Sequence, residues 1–131
     1  MRIEVVPHSV ELKITETVPP GLPCGGDLRV EAWASVSAFV GHGDCWIEAE
    51  QFRSFAASVE TLYRHFDGRA ELNSISPGEF SLTLSPANPR GYVLVQVAIR
   101  RQHPVQASMS GAFEVELPGL AELVTWATKQ A

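Results

Sequence analysis

Apolar and polar residues alternate along most of the first forty positions of the chain. Val10, Leu12 and Ile14 are each separated by one polar residue, and the alternation returns over a longer run at 27–40. A period of two is typical of a strand with one buried face, so the part of the chain before residue 18 is predicted to form strands and residues 27–40 a further one. The segment 18–27 between them, "VPPGLPCGGD", is rich in proline and glycine and predicts a loop.

The strand predicted at 27–40 has two faces of different character. One face carries small and branched aliphatic residues, whereas the other carries Trp33 and Phe39 among polar residues. The aromatic face is either a second buried layer or an exposed patch, and the pattern leaves open which face is in contact with solvent. After this strand, Gly41 and Gly43 predict a turn that leads into a helix.

The hydrophobic period changes to between three and four after residue 50. The apolar positions of this stripe are Phe52, Phe55, Ala56, Val59, Leu62, Tyr63 and Phe66. They share one side of an α-helix, which the spacing therefore predicts. Glu48 and Glu50 suit the positive end of the helix dipole, and Gly68 is predicted to form the left-handed cap at the other end.

Four strand-like segments and a short helical segment complete the chain. The strand-like segments are "GRAELNSI", "EFSLTLS", "GYVLVQVAIRR" and "VQASMSGAFEVEL". Because short turns separate them, they are predicted to pair as antiparallel neighbours. The third has so little polarity that it is predicted to be central and covered on both sides. "PGLAELVTWATKQ" predicts a closing helix with Pro118 near its first turn.

This order of elements predicts an α+β fold, with three strands, a helix, four strands and a helix. We expect one domain, residues 1–131, in which an antiparallel curled sheet of about seven strands forms a half-barrel or sandwich. One amphipathic helix in mid-chain and one short C-terminal helix would pack on one face of that sheet.

Composition and charge restrict the classes of partner. Of 131 residues, 45% are hydrophobic, which is typical of a globular protein. Ten Lys and Arg against fifteen Asp and Glu, spread along the chain, leave no basic face for nucleic acid. No segment approaches the roughly eighteen apolar residues of a membrane span, and the start of the chain does not resemble a secretory signal. We therefore expect no nucleic-acid or membrane partner, and a cytoplasmic location.

The stretch "GHGDCWIEAEQF" groups His42, Asp44 and Cys45, three residues that could bind a metal or supply a nucleophile. A zinc site needs three or four ligands, and neither HxxxH nor CxxC spacing is present. A Cys45–His42 pair would need a third orienting group that the sequence does not identify. The turn interpretation is favoured, so no catalytic, metal-binding or cofactor-binding residue is predicted. Whether Cys24 and Cys45 form a disulfide is left open.

A resemblance to a known family adds a functional expectation. The family pattern matches at Phe52, Phe55, Leu62, Gly68, Ala70, Leu72, Arg90, Gly91, Leu117, Leu120 and Leu123. These positions resemble the WapI-type bacterial immunity proteins, which bind and silence a nuclease toxin, and related uncharacterised small bacterial domains. The resemblance covers roughly residues 28–126. It implies a shared fold and a non-enzymatic protein that binds a basic toxin domain.

We therefore expect a protein-binding domain that acts as an immunity protein or antitoxin and needs no cofactor. The residues predicted to contact the partner are Glu31 and Trp33 on the long strand, with Asp44 and Glu48 near the helix entry. The first alternative is a small-molecule-binding module with a pocket between sheet and helix, lined by Gln96 or Tyr92. The second is an uncharacterised domain of other function. A homo-oligomer also remains open.

Overall fold

Two four-stranded antiparallel sheets form the fold, and the computed structural model describes residues 1–131. Sheet A contains β1 (Arg2–Val5), β2 (His8–Thr17), β3 (Leu28–Val36) and β4 (Phe39–Ile47), in that order. Sheet B contains β5 (Ala70–Asn73), β6 (Phe80–Pro86), β7 (Tyr92–Arg101) and β8 (Ala107–Glu116), also in chain order. Helix α1 (Ala49–His65) joins the sheets, and a 3₁₀ turn (Leu117–Leu120) leads into α2 (Ala121–Gln130).

The predicted α+β class is confirmed, and the expected half-barrel or sandwich of about seven strands is roughly compatible with the eight strands in two sheets that the structure contains. The difference in strand number arises at residues 27–47, which were predicted to be one strand followed by a turn. They form a hairpin, in which Val36 pairs with Phe39 and Ser37 adopts a left-handed φ of 58°. The turn predicted at Gly41 and Gly43 is therefore wrong, because both glycines lie within β4.

Alternation along the strands places one face of each sheet in the core. On β3 the residues Leu28, Val30, Ala32, Ala34 and Val36 are buried, whereas the residues between them are exposed or half-buried. Strands β6 and β7 follow the same rule, and 29 buried hydrophobic residues from both sheets and both helices form one cluster. Strand β7 is central in hydrogen bonding, as predicted, but only one of its faces is buried.

Strand β4 runs across the strands of sheet B at close range. Gly41 lies against Met109 on β8, Gly43 lies against Ile99 on β7, and the carbonyl of Trp46 accepts a hydrogen bond from the Ile75 amide beyond β5. Glycine is needed at such positions because a side chain would occupy the space of the neighbouring sheet. The two glycines therefore permit the sheets to pack, rather than turn the chain.

Helix α1 buries the stripe that the spacing predicted. Phe52, Phe55, Ala56, Val59 and Leu62 are buried against β5, β6 and α2. Trp126 of α2 packs edge-on against Phe52, with ring centroids 5.6 Å apart. At the end of α1, Phe66 rather than Gly68 is the left-handed cap, with a φ of 51°, and its amide donates to the Leu62 carbonyl. Gly68 also has a positive φ, of 84°, but lies two residues further on.

The start of α1 is capped from a distant loop. Glu48 occupies the N-cap position, but its side chain makes no capping hydrogen bond. Instead, Oδ1 of the buried Asp27 accepts a hydrogen bond of 2.9 Å from the Ala49 amide. Because the Asp27 amide also donates to the Cys24 carbonyl, this aspartate links the Pro- and Gly-rich loop to the helix.

The close approach of the sheets predicts a steric penalty at Gly111 of β8. A Cβ added there would lie 2.8 Å from Cβ of Val36, a buried side chain that has little freedom to move. Gly111→Ala is therefore expected to lower the free energy of unfolding by about 1–3 kcal/mol, measured by chemical denaturation. The neighbouring exposed variant Ser110→Ala is the control and should leave it nearly unchanged, whereas an unchanged or more stable Gly111→Ala would contradict this packing.

The distant cap predicts that Asp27→Ala destabilises the protein, because the Ala49 amide loses its acceptor. The expected loss is about 1 kcal/mol, typical of removing an N-cap acceptor. Glu48→Ala is the matched control and should have little effect, because Glu48 holds the N-cap position without capping through its side chain. Thermal or chemical unfolding of the two variants distinguishes them, and a larger loss for Glu48→Ala would show that the cap is assigned to the wrong residue.

Candidate binding face

The face of sheet A that points away from sheet B carries most of the charged and polar side chains of the sheet, together with two tryptophans. We call it the outer face of sheet A. It is formed by Arg2, Glu4, Ser9, Glu11, Lys13, Glu16, Arg29, Glu31, Trp33, Ser35, Val40, His42, Asp44 and Trp46. Five of these carry carboxylates and three carry cations (Arg or Lys), so the face is moderately acidic.

Trp33 lies at the centre of this face. It pairs with Glu11 on β2 and with His42 on β4, and its indole stacks on the His42 imidazole with centroids 5.0 Å apart and planes 12° from parallel. His42 Nε2 is 3.6 Å from Oε1 of Glu31, the next outer residue of β3. Trp33 is therefore held between polar neighbours while its upper surface stays half-exposed.

A second cluster on the same face is centred on Arg29. Its Nε donates a hydrogen bond of 2.9 Å to Oδ2 of Asp44, and its terminal nitrogen forms an ion pair with the same oxygen. Glu16 lies 4.0 Å away on the other side. The hydrogen bond and charge of Asp44 raise the pKa of Arg29 above its ordinary value. Both charged groups are therefore oriented, although solvent screening limits what such pairs add to stability.

Exposed apolar residues border this face where the β1–β2 and β3–β4 turns meet. Val6, Phe39 and Val40 are 80%, 68% and 73% exposed. The two turns are held together by the Ser37 amide, which donates to Nδ1 of His8 at 3.0 Å. Large exposed apolar groups beside a polar aromatic face are characteristic of protein-binding surfaces.

Three of the four residues predicted to contact a partner share this face. Glu31 and Trp33 lie on β3, and Asp44 lies opposite Glu31 on β4. Glu48 is exposed at the helix start, just beyond the end of β4. The sequence left open which face of the 27–40 strand is in contact with solvent. In the structure it is the face that carries Trp33.

Arg29 was predicted on the same strand face as Trp33. His42 and Val40 were not predicted there, because residues 27–40 were assigned to one strand and the glycines that follow to a turn. The signal was present, since the alternation of small and polar residues continues through Gly41, His42, Gly43 and Asp44. Phe39, assigned to the predicted single strand, instead follows the hairpin turn.

His42 and Cys45 point to opposite faces of β4, so they do not form a thiol–imidazole pair. His42 is exposed on the outer face, whereas Cys45 is 3% exposed and lies in the core. Burial raises the pKa of the Cys45 thiol to about 12, with smaller contributions from the charges of Glu79 and Asp44. Cys24 is exposed and both cysteines are free thiols. No three His, Cys, Asp or Glu side chains converge as a metal site would require.

A cleft of about 510 Å³ lies between β4, the β5–β6 loop and the β7–β8 turn. Asp44, Glu79, Arg101 and His103 are among its lining residues, and only four of thirteen are hydrophobic. Small-molecule pockets are mostly apolar, so this composition fits them poorly. The pocket predicted between sheet and helix, with Gln96 or Tyr92, does not coincide with this cleft.

Comparison with known proteins finds no matching family model, curated protein or solved structure. The resemblance to immunity proteins therefore stays a prediction. Neither helix has both the length and the apolar character needed to cross a membrane.

The environments of the two thiols predict selective labelling in the native protein. At pH 8, iodoacetamide is expected to modify Cys24 and to leave Cys45 intact, because the reactive species is the thiolate and Cys45 is buried with a pKa of about 12. Mass spectrometry of the labelled chain measures the number of modified cysteines, and denaturant should make Cys45 accessible to labelling. The Cys24→Ser variant is the control, and native labelling of that variant would contradict the burial of Cys45.

Proposed function

We propose that this protein is a non-enzymatic binding domain that recognises a basic surface of another protein through the outer face of sheet A. The observation that carries the proposal is the half-exposed Trp33, stacked on His42 and flanked by Glu11 and Glu31. Aromatic anchors surrounded by polar groups dominate the binding energy of many interfaces.

The charge of the face supports a basic partner. Asp44 is matched by Arg29, and Glu4 by Arg2, but Glu11 has no cation within ion-pair distance. A positive partner group at Glu11 would therefore find an unmatched carboxylate beside the aromatic anchor. Such complementarity mainly raises the association rate and selects the partner.

The finer proposal is that the partner is a toxic nuclease domain and that this chain is its cytoplasmic immunity protein in a bacterium. It is supported by the resemblance to WapI-type immunity proteins and by the net charge of −5. A protein that covers a nuclease surface needs an exposed and ordered face, and no catalytic group of its own.

The test is protection against a toxin encoded by the adjacent upstream gene. Co-expression with the wild-type chain is expected to restore growth of cells that produce the toxin's C-terminal domain. Trp33→Ala should lower affinity by more than tenfold, since truncating an interface anchor typically costs about 2 kcal/mol or more. Glu11→Lys should slow association and weaken its dependence on salt.

The matched control is Gln96→Ala, an exposed position on the opposite sheet. Binding is measured by surface plasmon resonance with the purified toxin domain, after thermal unfolding confirms that each variant is folded. If Trp33→Ala and Glu11→Lys bind as tightly as Gln96→Ala does, the outer face of sheet A is not the binding surface. If the wild-type chain neither binds nor protects, the immunity role is wrong.

A further inference from the structure

The edge strands of the two sheets differ in length and in the hydrogen bonds that they make outside their own ladders. Strand β1 has only four residues, and β4, with nine, accepts one hydrogen bond at its free edge, from the Ile75 amide to the Trp46 carbonyl. At β5, Gln51 of α1 acts like a neighbouring strand, because its amide nitrogen donates to the Glu71 carbonyl and its oxygen accepts from the Asn73 amide at 2.9 Å. Strand β8 is the longest of the four edge strands, with ten residues, and it makes no backbone hydrogen bond outside its ladder with β7.

The phase of the ladder identifies the backbone groups that face this edge. The Arg100 amide donates to Glu79, and the Ala87 amide donates to Tyr92, so even-numbered residues of β7 bond toward β6. The odd-numbered residues therefore bond toward β8, in agreement with the hydrogen bond from the Leu117 amide to the Gly91 carbonyl. The residues whose amides and carbonyls face outward are consequently Ser108, Ser110, Ala112, Glu114 and Glu116.

These five residues are all exposed, and the strand carries charged side chains only at its C-terminal end, at Glu114 and Glu116. It contains no proline, no lysine and no register shift against β7. Its centre, Ser110, Gly111 and Ala112, has small side chains that would not obstruct another strand. A long and regular edge is a template for pairing with a further strand.

We propose that β8 pairs antiparallel with β8 of a second copy of this chain, which joins the two B sheets across a two-fold axis. With the axis at Ala112, Ser110 faces Glu114 of the other copy and Ser108 faces Glu116. All five outward residues then exchange hydrogen bonds, because antiparallel pairing matches even positions with even positions. A symmetric contact of one patch with itself closes at two copies.

The charges near β8 favour a second copy of this chain as the partner, and they favour antiparallel over parallel pairing. Arg100 pairs with Ser108 and Arg101 with Ala107, so Glu116 of the second copy approaches the end of sheet B that carries both arginines. Of the two, Arg100 also donates to the Pro77 carbonyl. Parallel pairing would instead set Glu114 and Glu116 beside the same residues of the other copy, and like charges directly opposite each other are destabilising. Edge pairing without a large apolar area is weak, so we expect the dimer to dissociate on dilution.

The test is sedimentation velocity over a concentration series, combined with amide hydrogen exchange measured by NMR. The wild-type chain is expected to shift from monomer to dimer as its concentration rises. The Ser110, Ala112 and Glu114 amides should gain protection with dimerisation, whereas the Gly111 and Phe113 amides, already bonded to β7, should be protected throughout. A structural role of β8 alone would not produce this even–odd difference.

Ala112→Pro removes one outward amide without removing a ladder bond, a position where edge strands accept proline. It should raise the dissociation constant at least tenfold, and Ala112→Ser should not change it. If Ala112→Pro does not fold, Ser110→Lys is the second variant and should weaken the dimer by a similar factor.

A wild-type chain that stays monomeric overturns the proposal. So does a dimer whose dissociation constant the folded variant leaves unchanged, or a dimer without the even–odd difference in amide protection. The outer face of sheet A is not involved, so failure here is separate from failure of the proposed binding function.

Discussion

The close crossing of β4 over sheet B is the constraint on which the rest of the structure depends. Gly41, Gly43 and Gly111 let the backbones approach where Met109, Ile99 and Val36 fill the remaining space. Interiors pack at the density of organic crystals, so an added methyl group there must displace the neighbouring side chain. Because the inner side of β4 is fixed in this way, its polar residues must point outward. The same crossing therefore determines both the packing of the sheets and the composition of the outer face.

The elements that depend on periodicity could be predicted from the sequence. The stripe from Phe52 to Leu62 defined α1, and alternation located the four strands of sheet B. The hairpin at Ser37 was missed because a two-residue connection without glycine, proline or asparagine carries no turn signal. The glycines of β4 were misassigned because a close approach between sheets is a tertiary property, whereas glycine in a sequence ordinarily indicates a turn.

The candidate face was predictable only in part for a related reason. Glu31 and Trp33 are two apart on a strand, so alternation alone placed them together. Their proximity to His42 and Asp44 depends on cross-strand register, which follows from the turn that the sequence did not reveal. The net charge of −5 also overstates the acidity of this face, because Arg2 and Arg29 neutralise two of its carboxylates.

Under the proposed function, those internal pairs favour binding, although they make the face less acidic. A side chain that is free in solution loses rotamer freedom when a partner immobilises it, at a cost of about 0.5–1.5 kcal/mol for a flexible one. The stack of Trp33 on His42 and the hydrogen bond from Arg29 to Asp44 already restrict these side chains in the free protein. Less of the interaction energy with a partner is then lost to ordering. Such pairs add little to folding stability at an exposed site, so under the proposed function their contribution is the preorganisation of the contact surface around Trp33.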